Sequence, residues 1–96
     1  MAIEIQEARA LNVQVGEDSL VIELVDGRSI SVPIAWYPRL WYGTPDEQAK
    51  YSLIGDGKYI HWSELDEDLS IAGVLIGRRS GESSQSLRKW LTEHIK

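Results

Sequence analysis

Between Ala10 and Ile34 the apolar residues recur at every second position in runs separated by turn signals, and this period of two commits the segment to an antiparallel meander. Leu11, Val13 and Val15 alternate with Asn12 and Gln14, and Leu20, Ile22 and Leu24 follow beyond Gly16-Glu17-Asp18-Ser19. With those four residues as the loop, Val15 faces Leu20, Val13 faces Ile22 and Leu11 faces Leu24, so the apolar side chains of both strands share one face. At the next turn, a two-residue Asp26-Gly27 loop would set Leu24 against Ser29 and mix the faces. A three-residue loop, Val25-Asp26-Gly27 with Gly27 left-handed in a bulge, instead pairs Ile22 with Ile30 and Leu20 with Val32. The opposite face carries Asn12, Gln14, Glu23, Ser29 and Ser31 together with Val21 and Val25, two valines read as ordinary surface residues ahead of a dimer patch.

The apolar face needs a cover, and the chain must supply it without Phe, from 10 Leu, 10 Ile, 6 Val and its Trp and Tyr residues. Pro33 ends the third strand by removing a ladder donor, and Ala35-Trp36-Tyr37-Pro38-Arg39-Leu40-Trp41-Tyr42 follows. Such aromatic density serves either a partner surface or a core cover, and the cover is the simpler reading, because large amphipathic rings close a sheet face while keeping their polar atoms near water. Trp36, Arg39 and Trp41 stay interaction candidates. Pro38 can open a helical turn and Gly43 close it in a left-handed conformation. Thr44-Pro45-Asp46-Glu47 then starts a helix, with Thr44 as N-cap, Pro45 at the first position and Glu47 completing a capping box. It is expected to run from about Pro45 to Tyr51 and to dock through Ala49 and neighbouring aromatics.

Leu53-Ile54 and Tyr59-Ile60-His61-Trp62 flank the turn Gly55-Asp56-Gly57, which predicts a second hairpin. The acidic run Ser63-Glu64-Leu65-Asp66-Glu67-Asp68-Leu69-Ser70 is where chemistry would sit. Asp66, Asp68 and Ser70 copy the first odd ligand positions of a calcium loop, but Ile71 stands where the turn glycine belongs and Gly77 where the bidentate Glu belongs, so no metal is expected. His61 with Glu64, Asp66 or Asp68 is a minimal acid-base set. No nucleophile elbow, phosphate loop or paired-His spacing accompanies it. The structural reading is that Ser63 and Ser70 cap short helical turns, with carboxylates on their amide donors and Leu65 and Leu69 as anchors. Ile71 to Ile76 fits either a capped helix stopped by Gly77 or an edge strand.

Arg78 to Ser84 is a small polar linker. Beyond it, Leu87, Trp90, Leu91 and Ile95 form the stripe of an amphipathic helix from about Ser84 to His94, with Arg88, Lys89 and Glu93 on the other face. A helix of this length needs a support, on its own domain, a second copy or a partner. The net charge of -5 divides unevenly: residues 1 to 77 hold thirteen acidic against five basic groups, and residues 78 to 96 hold two against five. An acidic body disfavours nucleic acid and suits a basic protein partner. One terminal helix without a second makes direct DNA reading unexpected. The absence of cysteine excludes disulfides and thiolate chemistry. With no leader or membrane-span pattern, the expectation is a cytoplasmic chain.

The ordered set Asp26-Gly27-Arg28-Ser29-Ile30-Ser31-Val32-Pro33, Trp36-Tyr37-Pro38-Arg39-Leu40, Gly55-Asp56-Gly57 with Ile60-His61-Trp62, and Leu65-Asp66-Glu67-Asp68-Leu69-Ser70 with Gly73-Val74-Leu75 resembles the small bacterial domain of unknown function 2442 family. The likeness spans about Ala10 to Gly77. It implies a compact α+β domain, related to the N-terminal domain of an uncharacterised bacterial protein with a helix-turn-helix domain behind it, and an antitoxin-like role beside a toxin-like partner. The resemblance brings no catalytic residues.

These readings converge on an α+β domain over residues 1–77, a three-stranded meander plus a second hairpin covered by short helices, followed by a linker and amphipathic helix over 78–96. The expected function is a non-enzymatic protein-interaction module, antitoxin-like or regulatory, meeting a basic toxin-like protein or a second copy, without cofactor or membrane. The interaction candidates are Trp36, Arg39, Trp41, His61, Trp62, Glu64, Asp66, Asp68 and Trp90. The alternatives are a small metal-dependent or acid-base hydrolase built on His61, Glu64, Asp66 and Asp68, and a structural homodimer.

Overall fold

A computed structural model describes residues 8–94, so Ile95 of the terminal stripe lies outside the described residues. The meander forms as β1 (Ala10–Val15), β2 (Ser19–Leu24) and β3 (Ser29–Pro33), in sheet order β1-β2-β3. Val13 pairs with Ile22, Val15 with Leu20, Ile22 with Ile30 and Leu20 with Val32, as the alternation requires. The second loop has the expected three residues: the Leu24 amide donates to the Arg28 carbonyl, and Gly27 has φ +94°. The first pairing contains one correction. The register shifts between Ala10 and Asn12, so Ala10 rather than Leu11 opposes Leu24, and Leu11 is turned out to 64% exposure. The cause lies across the molecule, where the Ala10 amide donates to the Gly57 carbonyl at 2.7 Å. A Cβ on Gly57 would stand 2.5 Å from the Ala10 oxygen, so the two backbones meet with no room for a side chain on Gly57.

The second hairpin becomes a sheet of its own, β4 (Tyr51–Ile54), β5 (Tyr59–Trp62) and β6 (Glu67–Ser70), in the order β4-β5-β6. The third strand corrects the expectation of helical turns across the acidic run: residues 63–66 turn the chain, and Glu67–Ser70 pair with Tyr59–Trp62. Trp62 opposes Glu67 and Ile60 opposes Leu69, so the inner-face positions of β5 gain a second flank. Ser63 begins a turn and caps no helix. Ser70 does cap one, its hydroxyl accepting the Gly73 amide at the start of a helix over Ile71–Leu75, and Gly77 at φ +80° follows its end. That resolves Ile71 to Ile76 as helix.

A single core joins the sheets, and it includes Leu20, Ile22, Leu24, Tyr37, Leu40, Ile60, Trp62, Leu65 and Ile71. The aromatic junction divides: Tyr37 and Trp62 are buried and Trp36 half-buried, while Trp41 and Tyr42 stack on each other in solvent. The helices α1 (Pro38–Tyr42) and α2 (Pro45–Ala49) lie between the sheets in sequence, and Ile71–Leu75 is α3. Gly43 ends α1 with φ -70°, not left-handed as expected; its missing side chain instead makes room for Leu65, whose Cδ1 would lie 2.9 Å from a Cβ. The capping box of α2 forms in full. The helix is shorter than expected, and Ala49 is exposed, so docking works differently: the Gln48 side chain donates to the Leu40 carbonyl, and the Trp62 indole donates to the Gln48 carbonyl. After the linker, α4 spans Ser84–His94 with no fully buried residue, and Trp90 packs against the core edge.

Candidate functional site

The candidates from the sequence separate into an open sheet face and a charged junction. Strand periodicity places Ser52 and Ile54 of β4, Tyr59 and His61 of β5, and Asp68 and Ser70 of β6 on one side of the second sheet, because His61 pairs with both Ser52 and Asp68, and Tyr59 with both Ile54 and Ser70. This side faces away from the core. Ile54 and Tyr59 oppose each other at 47% and 49% exposure, an apolar pair on a face that a solvated sheet ordinarily gives to polar residues. His61 Nδ1 meets Asp68 Oδ1 directly beside them. Glu64 pairs instead with Lys50, and Asp66 with Arg39. Among the described residues, no three His, Cys, Asp or Glu side chains form a group able to hold a metal ion.

Trp62, by contrast, is fully buried and holds α2 through its indole, so it serves the core and offers no contact surface. Trp36 lies under the Arg79 guanidinium at 4.6 Å. Trp41 is exposed on α1 beside Tyr42.

Arg39 and Trp90 belong to the charged junction. The Arg39 Nε donates to both Glu82 carboxylate oxygens, at 2.9 and 3.0 Å, and its Nη1 donates to the Asp66 carbonyl at 3.1 Å. The guanidinium also stands 5.1 Å from the Trp90 ring. Direct hydrogen bonding to Glu82 raises the Arg39 pKa, and the same bonds hold the Glu82 carboxyl below its usual range. Asp66 enters this contact from a left-handed turn conformation, φ +51°.

Glu67 lies between two hollows of about 270 Å³ each, one shared with Arg39 and Glu82, the other with Tyr37, Ser70 and Arg78. Burial pushes its carboxyl up to about 7, against the opposing pull of the Asp68 amide and of Arg39. Nothing in its residue type separates Glu67 from the run of carboxylates around it. The signal was present in the alternation: once Leu69 faces inward, Glu67, two positions earlier, shares that face. Tyr37, whose hydroxyl donates to the Arg78 carbonyl at 3.0 Å, closes one hollow against the linker.

A family model described as a protein of unknown function, DUF2442, matches residues 10–80. No curated protein matches the chain. Two solved structures are similar. One is a protein of unknown function from Rhodospirillum rubrum, 24% identical, with a TM-score of 0.68 over 79% of this chain and 94% of that one. The other is the uncharacterised protein CV0863 from Chromobacterium violaceum, solved by solution NMR, 26% identical, with a TM-score of 0.64 over 90% of this chain and 75% of that one.

Proposed function

We propose, for a chain that belongs to the DUF2442 family, a non-enzymatic protein-interaction role, antitoxin-like or regulatory, in which the open face of the second sheet receives a basic protein partner. The observation that carries this reading is the exposed Ile54–Tyr59 pair beside His61 and Asp68. An exposed tyrosine and isoleucine side by side, rimmed by His61, Asp68 and two serines, have the composition of a small interface core. The surrounding body supplies the charge: thirteen acidic groups against five basic ones over residues 1 to 77 attract a basic surface and speed its approach.

Co-purification of the full chain from its own cells tests the reading, with Tyr59→Ser and Ile54→Ser as companions. Both side chains are exposed, so the variants retain the fold. A stoichiometric partner is expected with the parent chain, bound at low salt, weakened at high salt and at least tenfold depleted with either variant. A parent chain that elutes alone, or a complex indifferent to both substitutions, contradicts the proposal.

One observation favours a second reading, acid-base chemistry. Glu67 sits at a hollow with a carboxyl that exchanges its proton near neutrality. The reading is weaker because His61 and Asp68 lie on the opposite side of the sheet from Glu67, while Glu64 and Asp66 are engaged by Lys50 and Arg39. His61 with Asp68, Glu64 with Lys50 and Asp66 with Arg39 make three separate contacts.

A further inference from the structure

We infer that residues 82–94, with α4 as their helix, are a detachable arm, held to the body near its two ends by the Glu82–Arg39 ion pair and the His94–Glu47 hydrogen bond, and that it opens about Gly81 while both sheets stay folded. The inference stands apart from the partner reading, since the opening belongs to the isolated chain. The linker is fixed as far as Ser80, whose amide donates to the Trp36 carbonyl, and by the Tyr37 hydroxyl on the Arg78 carbonyl. Beyond that point Gly81 has nothing within 4 Å of where a Cβ would stand, and residues 81–83 belong to no helix or strand. The chain can therefore pivot there without breaking a backbone hydrogen bond of either sheet.

What holds the arm is chiefly polar. At its start, Glu82 lies on Arg39, and the Ser86 hydroxyl donates to Glu82 Oε2 at 2.9 Å. The clasp is well sheltered, with side-chain exposures of 16% for Arg39 and 9% for Glu82. At the far end, His94 Nε2 meets Glu47 Oε2 at 2.6 Å, while the other oxygen of Glu47 accepts the Thr44 amide in the capping box. Between the clasps, the Trp90 ring is stacked on His94 and faces the Arg39 guanidinium. Leu87, Trp90 and Leu91 are half-buried, and no α4 residue joins the set of buried core residues. The desolvation of a sheltered ion pair offsets much of its Coulombic attraction, so a helix held this way separates before a core held by buried Leu, Ile and Trp.

Amide hydrogen exchange on the full chain tests the arm, using the parent, Glu82→Gln and Glu47→Gln. Glutamine keeps the capping geometry of α2, so Glu47→Gln loosens the clasp without removing the cap. In the parent, amides of residues 87–91 are expected to exchange at least tenfold faster than those of β2 and β5. Each variant is expected to accelerate α4 a further threefold or more and to leave β2 and β5 unchanged. Equal protection of α4 and the sheets in the parent, or an α4 rate that neither variant changes, overturns the inference.

Discussion

Glu67 shows how much one side chain's position decides. Its carboxyl faces inward, where burial favours the neutral form and carries its pKa to about 7, above the ordinary glutamate value of 4.5. A raised folded-state pKa means that the folded chain holds this proton more tightly than the unfolded chain does. The associated stability is complete below about pH 4.5 and is lost as the pH rises through 7. Glu67→Gln removes that loss. Allowing for the solvent that still reaches a half-buried group, the variant is expected to be more stable than the parent by ~1 kcal/mol at pH 8, with the two converging at pH 4.5. Thermal melts across that range check it, and a variant less stable than the parent at pH 8 contradicts the assignment. Residue-level reading from sequence reached His61, Asp66 and Asp68 because their types announce chemistry. It did not single out Glu67, whose importance comes from orientation. Nor could it pair Arg39 with Glu82, which meet only after the linker crosses the body.

At the scale of elements, legibility followed the contrast between faces. The β2–β3 register was readable because a shift by one residue would have put serines into the core. The capping box of α2 was readable because Thr44, Pro45 and Glu47 act on their own neighbours. The bulge in β1 was not, since it is imposed by the Gly57 backbone from the second sheet and leaves no mark near Leu11. The third strand of the second sheet was obscured by its charges: Glu67-Asp68-Leu69-Ser70 alternates correctly, but the acidic run resembles a capped turn until β5 is seen beside it. The corrected register makes a sharp contrast. Leu11→Ser is expected to cost less than ~0.5 kcal/mol, as an exposed bulge residue, whereas Ile22→Ala, in the buried centre of β2, is expected to cost about 2–4 kcal/mol. Denaturant unfolding of the two variants measures both, and comparable losses would restore Leu11 to the core.

For the whole molecule, the division of charge is the feature that sequence and structure describe together. A body with an excess of eight acidic groups carries a terminal segment with an excess of three basic ones, and the described residues extend over 48 by 24 by 24 Å. The body holds the exposed Ile54–Tyr59 pair, and the arm is attached through Arg39, Glu82, Glu47 and His94. The proposal that follows is of a protein that works through a surface. Its most direct test is the light-scattering mass of the species isolated from its own cells under native, low-salt conditions. A mass well above the 10.9 kDa of one chain is expected, returning to 10.9 kDa with Tyr59→Ser. A parent chain of 10.9 kDa at every concentration and salt would contradict it.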